Sequence, residues 1–166
     1  MSKKHFSWKL VLLSTIVGIL FISQIILGFY LTNDSQIEFL AYAGVALFFL
    51  SGYFGMAPVF EFRKKGGVKK KESYIHTTKL VDTGVYSIVR HPQFTTFMIW
   101  AIAAMLLFQH WIVIVLGIPI IPLTYIDLLR ADQRNIEKFG DDYKKYMQKV
   151  PRANFVLGII RLLRYR

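Results

Sequence analysis

Tyr86, Arg90 and His91 lie close together in the chain and could do chemistry where water meets an apolar phase. They stand between a basic loop and an apolar stretch that opens at Pro92, a residue well suited to the first turn of a helix. An arginine binds carboxylates through paired hydrogen bonds, and a histidine exchanges a proton near neutral pH. The same pair could instead anchor a helix at a membrane surface.

A second group of polar residues lies in the charged segment after residue 130. The pattern predicts a helix that stops at Phe139-Gly140 and a shorter helix in which Tyr143 and Tyr146 share a face. These tyrosines could line a site or pack as ordinary interfacial aromatics.

The acidic residues of this region have both a functional and a structural interpretation. Asp132 could belong to a site or pair with Arg130 or Arg134, and Asp127 is expected to pair with Arg130 at a spacing of three residues. Gln24, in an apolar stretch, is expected to bond across to a neighbouring helix. Neither His76 nor His110 has ligands at a suitable spacing, and cysteine is absent, so we assign no metal site.

The elements that must position these residues are long apolar stretches. The chain has 166 residues, of which 54% are hydrophobic, too many for an ordinary soluble domain. Residues 10–31 and 39–60 each exceed the ~20 needed to cross a bilayer. Residues 94–108 and 111–126 are shorter and are separated by Gln109-His110, which predicts a tight helical hairpin. A re-entrant hairpin is the alternative.

Together the stretches predict an all-α, polytopic membrane protein with about four transmembrane helices, a C-terminal helical hairpin and cytoplasmic C-terminal helices. We expect one membrane-embedded domain over residues 1–166. Its predicted parts are spans at about 10–31, 39–60, 91–108 and 111–129, a cofactor-covering segment 130–152 and an interfacial amphipathic tail 153–166.

Charge placement predicts the orientation. Of the 21 Lys and Arg residues, three precede the first stretch, eight lie within 61–93 and ten lie from Arg130 onward. The positive-inside rule then places both termini in the cytoplasm. Attraction to anionic headgroups accounts for the net charge of +11 without a nucleic-acid partner. The first stretch is too long for a signal-peptide core and is expected to be retained.

Two sequence blocks carry a family resemblance. Gly84-x-Tyr86-x-x-x-Arg90-His91-Pro92-x-Phe94 is similar to G-x-Y-x-x-x-R-H-P-x-Y, and Phe139-Gly140-x-x-Tyr143-x-x-Tyr146-x-x-x-Val150-Pro151-Arg152 is similar to F-G-x-x-Y-x-x-Y-x-x-x-V-P-R. Both blocks are found in the integral-membrane methyltransferases that include isoprenylcysteine carboxyl methyltransferase and phospholipid methyltransferase. The resemblance implies that S-adenosylmethionine binds on the cytoplasmic side and that a lipophilic acceptor arrives through the bilayer. By resemblance, the catalytic residues are Arg90 and His91, and the cofactor-binding residues are Tyr86, His91, Pro92, Phe94, Asp132, Tyr143, Tyr146 and Arg152.

The residues suit that chemistry. A sulfonium is stabilised on aromatic faces, and a methionyl carboxylate suits Arg90 at the start of a helix. A carboxylate acceptor needs no base, whereas an amine or a phenol must lose a proton, for which His91 is suited. The acceptor stays open among carboxylate, amine, thiol and hydroxyl.

The sequence departs from the family pattern in three places. Ala131 and Asp132 stand where the family commonly has two glutamates, Phe94 replaces a tyrosine, and Thr96 replaces a glycine that often allows close approach of the cofactor. Two other interpretations therefore stay open. One is an NADPH-dependent membrane reductase of the sterol-reductase type, and the other is a non-catalytic relative that binds lipid or a partner.

Overall fold

The computed structural model describes residues 8–31, 36–67 and 77–164, and this part of the chain is helical, without β-strands. Lys3 and Lys4, the loop lysines 69–71 and His76 lie outside the described residues. The elements are α1 (Trp8–Tyr30), α2 (Glu38–Lys65), a 3-10 turn (Gly84–Ser87), α3 (Pro92–Phe108), α4 (Trp111–Lys149) and α5 (Phe155–Arg164). The all-helical prediction is confirmed for these residues.

Three of the described helices, α1, α2 and α4, are long and apolar enough to cross a membrane. Helix α3 has 17 residues and falls below that length. Large apolar side chains on the spans point outward, among them Phe29 at 74% exposure and Phe49 at 72%. Such surfaces suit lipid contact and would promote aggregation in water. The helices therefore indicate an integral membrane protein.

Two glutamine side chains form hydrogen bonds between helices. Gln24 on α1 donates from Nε2 to the carbonyl oxygens of Ala101 (3.1 Å) and Val113 (3.2 Å), which confirms its predicted structural role. At one end of the assembly, Gln109 accepts from the Ile37 N–H and donates to the Ile37 carbonyl, both at 2.9 Å. These bonds fix α3 between α2 and α4, because a polar group in lipid must be satisfied within the protein.

Two charged features of the helices can be compared with the sequence predictions. The Asp127 carboxylate lies 3.5 Å from Arg130 Nη1 and accepts a bond from Ser14 Oγ at 3.1 Å, so the predicted pair is confirmed. Helix α2 extends past the predicted boundary at residue 60, and its last turn contains Arg63, Lys64 and Lys65. Positive charges in that position are favoured by the helix dipole.

Gly140 interrupts α4. Its φ of +59° and ψ of −133° lie outside the helical region and are accessible to glycine at low cost. The predicted stop at Phe139-Gly140 is confirmed, and residues 141–149 continue as a separate helical piece. There, Tyr143 and Tyr146 are buried on one face together with Val150. The break redirects these tyrosines toward the start of α3.

Candidate active site

The segment before α3 is held by close backbone packing. Gly84 adopts a φ of +61°, and a Cβ there would overlap the Glu61 carboxylate. The 3-10 turn that follows buries Val85 and Tyr86, and the Tyr86 ring stacks on Phe62 at 4.8 Å between centroids. This packing delivers Arg90 and His91 to the N-terminus of α3, where both are buried.

Main-chain hydrogen bonds join the two sequence blocks. The Arg90 N–H donates to the Pro151 carbonyl at 3.0 Å, and the His91 N–H donates to the Arg152 carbonyl at 3.2 Å. The Tyr146 hydroxyl donates to the Tyr86 carbonyl at 2.6 Å. The structure thus places residues separated by about sixty positions in one site.

Asp132 is the centre of this site, and it is 4% exposed. Its Oδ1 lies 2.6 Å from His91 Nε2 and 3.3 Å from Arg90 Nη1, and its Oδ2 accepts from Arg152 Nε at 2.8 Å. The Tyr143 hydroxyl donates to Oδ1 at 2.7 Å. Among the described residues, the ion-pair partners of Asp132 are Arg90, His91 and Arg152, and not Arg130 or Arg134 as in the structural alternative.

The charges of the site follow from these contacts. Burial alone would raise the pKa of Asp132, but hydrogen bonds from His91, Tyr143 and Arg152 outweigh it and hold that pKa well below its usual value. Burial lowers the pKa of His91, against the opposing effect of Asp132. Burial and Asp132 raise the pKa of Tyr143. At neutral pH the site therefore has an anionic Asp132, a neutral His91 and a protonated Tyr143.

The ionised aspartate defines the histidine tautomer. A carboxylate can only accept hydrogen bonds. His91 Nε2 therefore carries the imidazole proton and donates a hydrogen bond to Asp132. The lone pair is left on Nδ1. The Phe94 ring contacts the imidazole edge-on, with 5.8 Å between centroids. His91 is thus oriented with its basic nitrogen turned away from the carboxylate.

Three residues that sequence analysis did not single out support the site. Asn135 Nδ2 donates to the Tyr143 hydroxyl at 3.3 Å, and Arg152 Nη1 donates to the Tyr125 hydroxyl at 3.0 Å. Phe62 stacks on Tyr86. Asn135 follows Asp132 by three positions on the same helix face, a signal that was available in the sequence. The roles of Tyr125 and Phe62 depend on distant packing.

A small cavity of about 60 Å³ lies beside Arg90. Aromatic side chains surround it, including Tyr86, Phe139, Tyr143 and Tyr146. Within the described part of the chain, Arg90 Nε and Nη1 are buried without a hydrogen-bond acceptor. Tyr146 and Leu80 also line an open polar cleft of about 500 Å³. The cavity and the cleft are therefore neighbours.

Three further positions from the sequence analysis, Pro92, Ala131 and Thr96, lie in different environments. Pro92 is fully buried in the first turn of α3. Ala131, which stands where the family has a glutamate, is buried beside Asp132. Thr96 faces α2, where its hydroxyl donates to the Ser51 carbonyl at 3.3 Å. Among the described residues, no cluster of His, Asp or Glu could hold a metal ion.

Part of the chain is similar to a known protein family. The family model of the isoprenylcysteine carboxyl methyltransferase (ICMT) family matches residues 70–136. The predicted resemblance to that family is confirmed over these residues.

Three curated proteins that match the chain are named protein-S-isoprenylcysteine O-methyltransferases. The chain is 37% identical over 84 residues to a protein-S-isoprenylcysteine O-methyltransferase of Saccharomyces cerevisiae, covering 50% of this chain and 34% of the relative. It is 30% identical over 73 residues to the protein of that name in Schizosaccharomyces pombe, covering 43% and 31%. Protein-S-isoprenylcysteine O-methyltransferase B of Arabidopsis thaliana is 28% identical over 74 residues, covering 44% and 38%.

The similarity is confined to part of each protein. The matching part of the chain spans about a third of the length of these relatives. No solved structure gave a significant match.

Proposed function

We propose that this protein transfers a methyl group from S-adenosylmethionine to a lipophilic acceptor at the cytoplasmic face of a membrane. The observation that carries the proposal is the junction of the two sequence blocks around Asp132, Arg90 and His91. The names of the relatives make the carboxylate of an isoprenylcysteine the first acceptor to test.

The residues fit S-adenosylmethionine in their chemistry. Arg90 is ion-paired with Asp132, but its Nε and Nη1 form no hydrogen bond within the described residues and can donate to the methionyl carboxylate. The Tyr86, Tyr143 and Tyr146 rings offer surfaces for a sulfonium or adenine. The inner cavity of about 60 Å³ is several times smaller than a typical ligand pocket of about 300–1,000 Å³. We propose that the adjoining cleft at Tyr146 holds the rest of the cofactor. When bound, the cofactor supplies a methyl group activated by its sulfonium.

The protein's own contribution is positioning, desolvation and proton removal. Asp132 has its oxygens occupied by protein donors, so we assign it the role of orienting His91 and Arg152. Arg90 binds the anionic end of the cofactor. His91 Nδ1 is available to accept a proton from an amine or a phenol, whereas a carboxylate acceptor would need only alignment.

For the membrane topology, we propose that α3 is a fourth, short span and that both termini face the cytoplasm. Positive charges at the ends of α2 and α4 support this orientation. Because α3 has 17 residues, local thinning of the bilayer would accommodate it at modest cost. The whole chain then forms one membrane-embedded domain, with residues 130–152 covering the cofactor.

We propose that a groove in the protein holds the acceptor's hydrocarbon chain. An apolar groove of about 360 Å³ lies between α2 and α3, and Phe49, Gly52, Thr96 and Trp100 are among its lining residues. Thr96 donates to the Pro92 carbonyl and lies one helical turn from the site. The groove therefore begins near the site and continues along the membrane-embedded part of α3.

Ligand-dependent stability tests the proposed cofactor. We expect S-adenosylmethionine and S-adenosylhomocysteine to raise the thermal unfolding midpoint of the purified protein, because a ligand bound to the native state stabilises it. NADPH is expected to have no effect. A shift with NADPH alone would favour the reductase, and no shift with either adenosyl ligand at saturation would refute the proposed cofactor.

Gly52→Leu tests the groove. A Cβ at Gly52 meets no atom within 4 Å, so the backbone there has room for a side chain, and replacing glycine improves helix propensity. We expect a several-fold higher KM for the lipophilic acceptor and unchanged binding of S-adenosylhomocysteine. Gly18→Leu on α1 is the matched control, since that position is equally open and lies outside the groove. An unchanged acceptor KM in Gly52→Leu would exclude this groove.

A further inference from the structure

Helix α5 has an apolar stripe that the described part of the protein leaves uncovered. Val156 is 54% exposed, Ile159 40%, Ile160 57% and Leu163 68%. Their spacing of three, four and seven residues places them on one face of the helix. These four residues are called the α5 stripe below.

The opposite side of α5 is fixed against the protein. A Cβ at Gly158 would overlap the Ile88 carbonyl oxygen, so the α5 backbone lies directly on the segment that leads to Arg90. Phe155 packs on Phe54 of α2, with 5.6 Å between ring centroids. The exposure of the α5 stripe is therefore a consequence of specific packing on the other face.

The charged residues of α5 are all positive. Arg161 and Arg164 lie in its last turn, and the helix contains no acidic residue. With ten residues, α5 is too short to cross a bilayer. A short helix with an apolar face and a basic last turn is typical of helices that lie at a membrane surface. Anionic headgroups complement the arginines.

We propose that α5 docks onto a membrane leaflet containing anionic phospholipid. The α5 stripe enters the boundary between headgroups and acyl chains, and Arg161 and Arg164 bind headgroup phosphates. The inference rests on the membrane-spanning helices and does not depend on the proposed methyl transfer.

This docking surface is linked to the candidate site. Helix α5 begins three residues after Arg152, whose carbonyl accepts the His91 N–H and whose side chain bonds Asp132. Asn154 caps the helix by accepting from the Leu157 N–H at 2.9 Å. Docking of α5 therefore restrains the segment that positions His91.

Spin labelling tests the proposal, because the chain has no cysteine and single-cysteine variants can be labelled selectively. Ile160→Cys carries a nitroxide in the full chain, reconstituted in nanodiscs of phosphatidylcholine alone or mixed equally with phosphatidylglycerol. Phe49→Cys on α2 is the lipid-exposed control, and Lys144→Cys on the charged segment is the water-exposed control. Collision rates with oxygen and with a water-soluble nickel chelate report the depth of each label.

In anionic nanodiscs we expect the label at position 160 to favour oxygen, as at position 49, and the label at position 144 to favour nickel. In nanodiscs of phosphatidylcholine alone, the label at 160 should collide less with oxygen and more with nickel. The same change is expected when Arg161→Gln and Arg164→Gln are introduced together. A water-like label at 160 in anionic nanodiscs overturns the proposal. So does dipolar broadening between labels at 160, which indicates a second copy on the stripe. If the depth of the label at 160 changes neither with lipid charge nor with the arginine substitutions, the proposed binding to anionic headgroups is wrong.

Discussion

Asp132→Asn is expected to reduce methyl transfer by about 10²-fold or more and to lower the free energy of unfolding by about 3–5 kcal/mol. The kinetic loss follows because the carboxylate orients His91 and Arg152, and small displacements of reacting groups have effects of that size. The stability loss follows because Arg90, 7% exposed, would lose its buried counter-charge. Steady-state kinetics and unfolding measurements test both.

The matched control is Asp127→Asn, which removes another buried carboxylate of α4 that pairs with Arg130 outside the site. It should retain activity. Unchanged turnover in Asp132→Asn would contradict the assigned role of Asp132.

The same substitution predicts a pH dependence of stability. The pKa of Asp132 is lowered on folding, so its stabilisation is fully present above the usual value of about 4 and is lost as pH falls below it. The difference in stability between wild type and Asp132→Asn should therefore be constant near neutral pH and shrink in acid. A difference that grows in acid would contradict the ionised, paired state of Asp132.

His91→Ala is expected to lower kcat by about 10²–10⁴-fold with an acceptor that must lose a proton. Because burial lowers the pKa of His91, the neutral base persists into mild acid. The acidic limb of the wild-type rate profile should therefore lie below the usual histidine value of about 6.5. Turnover of a lipophilic amine across pH measures both effects.

His110→Ala provides the histidine control, because His110 lies at the turn between α3 and α4 and caps α4 by accepting from the Ile112 N–H. It should leave turnover unchanged. A carboxylate acceptor needs no base, so the loss in His91→Ala should be smaller with an isoprenylcysteine. If His91→Ala remains fully active with both acceptors, His91 is a structural partner of Asp132 and not a catalytic residue.

The partners of Asp132 could not be predicted from its neighbours in the sequence. Sequence proximity suggested Arg130 and Arg134 as its partners, but residues two positions apart on a helix point in different directions. Its actual partners, Arg90 and Arg152, come from segments that tertiary packing brings together. Asp127 and Arg130 are three positions apart, and there the local prediction is confirmed.

The sequence by itself determined the helices, the interruption at Gly140 and the two blocks that carry the family resemblance. These features depend on apolar runs, on the backbone freedom of one glycine and on residue spacing, all of which are local. Only the tertiary structure decided that Asp132 joins Arg90, His91, Tyr143 and Arg152, that Tyr125 and Asn135 support them, and that α5 lies on Ile88. The reason is physical: a buried charge is stabilised by whichever partners the fold brings within reach, and spacing along the chain does not specify them.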